Sequence, residues 1–239
     1  MTEPLTNLNA FLHYPLHSTD AIFERFLTLE NAVCYGDTPE RFVYVKGHRR
    51  NKVVLVAHAD TVWEGFNTLA GQLAFNSDER CYYSTSSQYG IGADDRAGCA
   101  MLWQLRTLGH SLLITDGEEQ GLLGCKYLRS YYPEVMAELN EHQFMVQFDR
   151  SRDRDFKCYD IGTDAFREYI GEQTQYTEPN RYSRTDIVGL CQHITGVNLS
   201  IGYRNEHTPQ ERLYVDDWLH TLALCQHWLS EPNLPKFIR

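Results

Sequence analysis

The sequence predicts an α/β fold, a three-layer α/β/α sandwich with a mixed, mostly parallel central sheet. Short and almost wholly apolar runs alternate along the chain with segments whose apolar residues recur at helical spacing. Such runs are typical of strands buried on both faces, and their alternation with helices predicts a sheet covered on both sides. Ligands of open α/β sheets gather near the carboxyl ends of the strands.

The first predicted element is an amphipathic helix at 19–30, which opens with a Thr-Asp start signal. The predicted strands are 42–46, 53–57, 111–115, 144–148 and 197–203. Further helices are predicted from GADDR to Gly109, at 120–139 with a break at Pro133, at 162–172 and at 213–229. Residues 186–193 are ambiguous, and 150–185 are charged and mostly aperiodic, so we expect them to contribute loops.

Composition limits the classes of function. The 239 residues suit one domain spanning 1–239, and 22 basic against 32 acidic side chains give a net charge of −10. That charge disfavours nucleic acid and anionic lipid as partners. The chain has no apolar run of membrane-spanning length and no leader pattern at its start, so we expect a cytoplasmic protein. Its seven cysteines are widely spaced, and we expect free thiols.

Acidic residues and histidines follow four of the predicted strands, and a further acidic pair opens a helix. They lie in the segments VAHAD, TDGEE, QFDR and GYRNEH, with GADDR as the fifth. Any one of these residues has an ordinary reading as a cap, a surface acid or a packed histidine. Five together at the same edge of a sheet point to a shared cause, and two neighbouring divalent cations need oxygen and imidazole ligands of this kind.

Other catalytic patterns are absent from the sequence: it has no Gly-x-Ser-x-Gly, no His-Glu-x-x-His and no phosphate-binding loop. GIGADD places Asp where a dinucleotide fingerprint needs its third glycine, and adjacent carboxylates would repel a pyrophosphate.

Together the motifs resemble those of the co-catalytic zinc exopeptidases, which include peptidase T, aminoacylase, glutamate carboxypeptidase and related aminopeptidases. The similar segments are VAHADTV (56–62), GIGADDRAG (90–98), ITDGEEQGLLG (114–124), QFDR (147–150) and GYRNEHT (202–208). The resemblance implies two divalent metal ions, zinc by family expectation, although cobalt and manganese accept the same ligands.

The resemblance also assigns roles to individual residues. Asp94 would bridge both metals, with His58 and Asp149 completing one site and Glu119 and His207 the other. Glu118 would be the general base. Asp60 would orient the imidazole of His58, although a simple turn or hydrogen-bonding role is an equal alternative. Asp153 and Asp155 are alternatives to Asp149 as ligand, and the Asp94-Asp95 peptide would be cis.

The sequence identifies substrate-binding residues less specifically than metal ligands. Arg204 is a candidate for binding a substrate carboxylate, and the loop containing Ser183, Arg184, Thr185 and Asp186 is a candidate pocket lining. Asp149 and His207 are too close in sequence for the dimerisation domain that many relatives insert there. We therefore expect a catalytic domain alone, acting on a short peptide or an acylated amino acid, with homo-oligomerisation left open.

An aminopeptidase is the first hypothesis, and an N-acyl amino acid deacylase or carboxypeptidase is the alternative. A non-catalytic metal-binding or ligand-binding protein on the same fold is the alternative from another class, although the adjacent Glu118 and Glu119 argue against it. Acyl transfer by a single metal, as in glutaminyl cyclisation, is disfavoured by the presence of both His58 and Asp149.

Overall fold

Two β-sheets organise the computed structural model, which describes residues 2–63, 72–180 and 184–239. The helices are α1 (Glu3–Leu12), α2 (Asp20–Leu27), α3 (Ala93–Leu105), α4 (Leu123–Tyr131), α5 (Pro133–Leu139), α6 (Asp164–Thr174), α7 (Asp186–Leu190) and α8 (Val215–Leu229). The strands are β1 (Ala32–Tyr35), β2 (Phe42–Val45), β3 (Val54–His58), β4 (Leu73–Asn76), β5 (Cys81–Ser84), β6 (Ser111–Thr115), β7 (Met145–Arg150), β8 (Phe156–Lys157), β9 (Gly196–Ser200), β10 (Tyr203–Arg204) and β11 (Arg212–Tyr214).

The larger sheet has the strand order β1-β2-β6-β3-β7-β9-β8 within the described residues. Its centre is parallel, because β6, β3, β7 and β9 pair in the same direction, whereas β1, β2 and β8 join antiparallel at the two sides. The predicted α/β fold with a mixed, mostly parallel sheet is therefore confirmed.

Alternation of apolar side chains along the central strands produces a core on each face of this sheet. In the β3 segment Leu55 and Ala57 pack into one cluster with α1, α2, α3 and α8, whereas Val54 and Val56 pack into the other with α4, α5 and α7. Burying one such aliphatic side chain stabilises the fold by roughly 1.5–3 kcal/mol. The two cores cover both faces of the sheet and so position the strand ends at its edge.

The smaller sheet has the order β10-β11-β5-β4 and is antiparallel throughout. The loop between β10 and β11 contains residues 205–211, so this sheet places His207 beside the carboxyl edge of the larger one. Neither this sheet nor α1 and β1 was predicted from the sequence.

Several boundaries differ from the sequence predictions. β7 continues to Arg150, so Asp149 lies within the strand and not after it. The predicted break at Pro133 is confirmed, because α4 ends at Tyr131 and α5 begins at Pro133. The segment 150–185 is less irregular than expected, because β8 pairs with β9 at the sheet edge and the predicted helix in this segment forms as α6.

In the described ranges, no helix has both the length and the apolar composition needed to cross a membrane.

Candidate metal centre

His58 ends β3 and is only 1% exposed, at the edge where the parallel strands terminate. Its Nε2 atom lies 3.2 Å from Oδ1 of Asp94 and 3.6 Å from Oδ1 of Asp149. Its Nδ1 atom faces Asp60, 3.3 Å from Oδ1 and 3.2 Å from the carbonyl oxygen. The ring is therefore oriented from behind by Asp60 while Nε2 faces two carboxylates, the arrangement that surrounds a metal-binding histidine.

Asp94 lies between the two histidines of the site. Its Oδ1 atom faces His58, and its Oδ2 atom lies 3.1 Å from Nε2 of His207. The backbone here is not helical although it opens α3, with φ −80° and ψ 103° at Asp94. The Asp94-Asp95 peptide is cis, as the family resemblance implied. Asp95 accepts hydrogen bonds from the N–H groups of His58 and Gly98.

The Glu118-Glu119 pair lies in a tight turn after β6. Gly117 has φ +64°, and a Cβ atom there would lie 2.4 Å from the carbonyl oxygen of Pro39, so the turn requires glycine. The backbone N–H groups of Glu118 and Glu119 donate to the two carboxylate oxygens of Asp60, at 3.0 and 2.9 Å. The Glu119 Oε1 atom lies 2.8 Å from Nε2 of His207. Asp60 thus fixes both His58 and the loop of the two glutamates.

Asp149 is held by hydroxyl and amide groups that the sequence did not identify as partners. Its Oδ2 atom accepts from Thr185 Oγ1 at 2.6 Å and Gln147 Nε2 at 3.2 Å, and its Oδ1 atom accepts from the Tyr203 hydroxyl at 3.2 Å. The Asn198 side chain bonds both the N–H and the carbonyl of Asp149, at 2.9 and 2.6 Å. These partners leave Oδ1 turned toward His58.

The donor set fits divalent cations. The buried atoms Oδ1 of Asp94 and Oε1 of Glu119 face imidazole nitrogens but have no hydrogen-bond partner among the described residues. Ligand atoms of His58, Asp94 and Glu119 all lie within 4.8 Å of one another, as do those of His58, Asp95 and Asp149. Carboxylate oxygens and imidazole nitrogens at such spacing are suitable ligands for zinc, cobalt or manganese.

Electrostatics point the same way. Burial and neighbouring carboxylates raise the pKa of Glu118 to about 10 and that of Asp149 to about 7. Contacts with Asp94 and Glu119 raise the pKa of His207 to about 11. Burial opposes ionisation of Asp94, but contacts with His207 and His58 lower its pKa below the usual range. Buried carboxylates that repel one another in this way are the groups whose repulsion divalent cations offset.

A pocket of about 230 Å³ opens on this cluster. It is lined by Asp94, Glu118, Glu119, Asp149, Arg150, Ser151, Tyr159, Arg184, Tyr203, Glu206 and His207. Asp60 is absent from the lining because it lies behind the cluster, fully buried.

The remaining predicted residues lie in different surroundings. Asp186 is fully buried; Thr115 donates to its Oδ2 atom, and Oδ1 has no partner among the described residues. Arg204 does not line the pocket and pairs with Asp153 at 3.2 Å and Asp217 at 2.9 Å. Substrate binding by Asp186 and Arg204 stays a prediction, and Ser183 lies outside the described residues. Asp155, the other alternative ligand, forms an ion pair with Arg150 at 3.7 Å.

Glu211 was missed by the sequence reasoning. It is 1% exposed and accepts hydrogen bonds from three backbone N–H groups of the segment that leads to Asp94. Its position four residues after His207, in the same short loop, is the only signal the sequence offers.

Comparisons with known proteins are consistent with this geometry. The model of the family described as Peptidase family M28 matches residues 42–188. No curated protein matches the sequence.

Similar solved structures include a tripeptidase from Staphylococcus aureus subsp. aureus Mu50, with a TM-score of 0.72 and 15% identity over 95% of this chain and 98% of that one. Aminopeptidase PepT from Bacillus cereus ATCC 10987 has a TM-score of 0.70 and 12% identity over 96% and 98%. The TET1 peptidase of Pyrococcus horikoshii, which can assemble into a tetrahedron or a large octahedral shell, has a TM-score of 0.61 and 14% identity over 94% and 98%. At these identities the likeness shows a shared fold.

Proposed function

The chain belongs to peptidase family M28 and is a metallopeptidase, and on that premise we propose that it is an aminopeptidase acting on short peptides. The observation that carries the proposal is the pair of histidines on opposite sides of Asp94, with Nε2 of His58 3.2 Å from Oδ1 and Nε2 of His207 3.1 Å from Oδ2. A carboxylate placed in this way suits a ligand shared by two cations.

The proposed ligands form two sets around Asp94. His58 and Asp149 complete the first set, and Glu119 and His207 complete the second. Oδ1 of Asp94 and Oε1 of Glu119 support this assignment, because these buried oxygens face imidazole nitrogens, accept no hydrogen bond among the described residues, and would be satisfied by a cation. When bound, the two metal ions would polarise the scissile carbonyl and lower the pKa of water.

Glu118 is the proposed general base. It lines the pocket beside the proposed ligands, and its backbone N–H donates to Asp60. Bound cations would offset the burial and the repulsion that raise its pKa, and the ionised carboxylate would then take a proton from the attacking water and pass it to the leaving amine.

The first choice of substrate rests on the pocket and on the chain's architecture. Glu206 adds an acid to the lining beyond the proposed ligands and base, and an acidic rim suits the ammonium group of a peptide's first residue. The structural neighbours named as an aminopeptidase and a tripeptidase are covered almost completely by this chain. We therefore place cleavage at the amino end of a short peptide.

A deacylase or carboxypeptidase is the second candidate. Arg150 and Arg184 also line the pocket, and arginine is the residue type best suited to a substrate carboxylate. An aminopeptidase would use Glu206 to bind the substrate amine, whereas a deacylase or carboxypeptidase would use an arginine to bind the substrate carboxylate.

The test is hydrolysis of three matched substrates by protein loaded separately with zinc, cobalt or manganese. Aminoacyl amides, which have a free amine and no carboxylate, are expected to be cleaved together with free dipeptides. Preference for N-acyl amino acids would support the second candidate instead. Turnover of none of these substrates by metal-replete protein would contradict the hydrolase proposal.

Oligomeric state is a separate expectation. The TET1 peptidase can assemble into a tetrahedron or a large octahedral shell, and light scattering on this protein measures whether it also self-associates.

A further inference from the structure

Glu211 is a buried carboxylate held by the protein backbone. Its Oε2 atom accepts from the N–H groups of Ile91 and Gly92, each at 2.8 Å, and its Oε1 atom accepts from Asp94 N–H at 3.1 Å. Within residues 2–63, 72–180 and 184–239, no basic side chain forms an ion pair with it. Burying a carboxylate without a basic partner is costly, and the three backbone N–H donors offset part of that cost.

The glycine-rich segment before α3 is shaped around this carboxylate. A Cβ atom at Gly90 would lie 2.4 Å from Oε2 and 2.9 Å from Cβ of Glu211. The N–H groups of Ile91 and Gly92 both donate to the same oxygen, and Gly92 adopts φ +63°, a conformation that favours glycine. The path of the chain into Asp94 is therefore set by the position of Glu211.

The same short loop supplies His207 and Glu211 to opposite parts of Asp94. His207 contacts the carboxylate of Asp94 at 3.1 Å, and Glu211 accepts the backbone N–H of the same residue. A turn in which Glu211 N–H donates to the Thr208 carbonyl at 3.1 Å fixes the separation of the two side chains. Displacement of Glu211 would therefore move the Asp94 carboxylate relative to His207.

We propose that Glu211 is a positioning residue that sets the Asp94 carboxylate between the two metal positions. This inference rests on the proposed two-metal function. An ionised carboxylate accepts from three converging N–H donors without offering a donor of its own. Glu211 does not line the pocket, so it acts through Asp94 and has no contact with substrate.

The test is the metal affinity of Glu211→Gln, measured by calorimetric titration of zinc into chelator-treated protein. The new side-chain N–H₂ group would face a backbone N–H donor of Ile91, Gly92 or Asp94, and two donors repel, so the segment that leads to Asp94 must shift. Partners of metal ligands alter affinity by about 10–100-fold, and we expect at least a tenfold weaker affinity for one of the two metal equivalents. At saturating zinc the KM should stay near the wild-type value while kcat falls.

Glu79→Gln is the matched control. Glu79 is exposed and pairs with Arg212, the residue after Glu211, so the same substitution removes a carboxylate from the same neighbourhood without touching Asp94. It should retain wild-type affinity and activity. Glu211→Asp, which keeps the charge but shortens the side chain, should bind zinc more weakly than wild type and more tightly than Glu211→Gln.

The outcomes separate the claims. Unchanged affinity for both equivalents in Glu211→Gln, even with a lower melting temperature, would show a purely structural role and overturn the inference. If Glu211→Gln does not fold, Glu211→Asp with a wild-type circular dichroism spectrum decides: weaker binding supports the inference and unchanged binding overturns it. A wild-type protein that binds no metal would instead contradict the proposed function.

Discussion

The carboxylate of Asp60 lies 3.3 Å from Nδ1 of His58 and accepts both N–H groups of the Glu118-Glu119 turn. One fully buried side chain thus couples a strand end to the loop that carries the proposed base and a proposed ligand. The sequence left a simple turn or hydrogen-bonding role equally open, and the orientation of a metal-binding histidine by Asp60 stays a prediction.

Asp60→Asn is expected to weaken metal binding about 10–100-fold and to lower kcat. The new amide N–H₂ group is a donor, so it cannot accept the hydrogen bond that Asp60 receives from a backbone N–H or replace the carboxylate that faces Nδ1 of His58. It should also lower the free energy of unfolding by about 1–3 kcal/mol, since a buried donor loses its acceptor. Metal titration and urea unfolding measure the two effects. Asp78→Asn, at an exposed turn position, is the control, and equal affinities for the two variants would refute the role of Asp60.

Metal binding should stabilise the protein strongly. Buried carboxylates at the site repel one another, and a ligand at about 1,000 times its Kd adds about 4 kcal/mol to the free energy of unfolding. We expect zinc to raise the melting temperature of chelator-treated protein and Asp94→Asn to lose most of that increase. A melting temperature that does not respond to zinc, cobalt or manganese would contradict the metal assignment.

Acid should destabilise the fold through a histidine remote from the site. His110 is 2% exposed; its Nδ1 atom accepts Val53 N–H and its Nε2–H donates to the Leu229 carbonyl, so the neutral ring is the bonded form. Burial lowers its pKa from the ordinary 6.5 to about 4. The unfolded chain therefore binds the proton first, and stability that is complete above pH 6.5 is lost as the pH falls toward 4.

The expected loss from His110 between pH 7 and pH 5 is about 2 kcal/mol. Urea unfolding of metal-free wild type and His110→Gln measures it, because glutamine keeps one acceptor and one donor but does not titrate. The variant should show the smaller dependence on pH. The same change in the free energy of unfolding with pH for both proteins would refute the role of His110.

The centre of the fold was predictable because its strands are buried on both faces. The run at 111–115 matches β6 in both bounds, and the run at 53–57 places His58 at the end of β3. The smaller sheet was not predictable in the same way. Its strands have two to four residues, and β11 pairs with β5, a partner far away in the sequence.

The residue types of the candidate site were predictable from strand ends, but their partners were not. Arg204 was selected because it is close to His207 in sequence, yet Asp153 and Asp217 occupy its guanidinium group. Tyr203 ends the predicted strand 197–203 and Glu211 follows the last of the motifs, but only the fold brings them to Asp149 and Asp94. Hydrogen bonds between distant segments leave no pattern in a single sequence.

The most direct test of the two-metal hydrolase compares wild type with Glu118→Gln for bound zinc and for hydrolysis of an aminoacyl amide. The account predicts two zinc ions per chain in both proteins and turnover reduced by at least about 100-fold in the variant, the range expected for loss of a general base. Loss of zinc from Glu118→Gln, or turnover equal to that of the wild type, would contradict it.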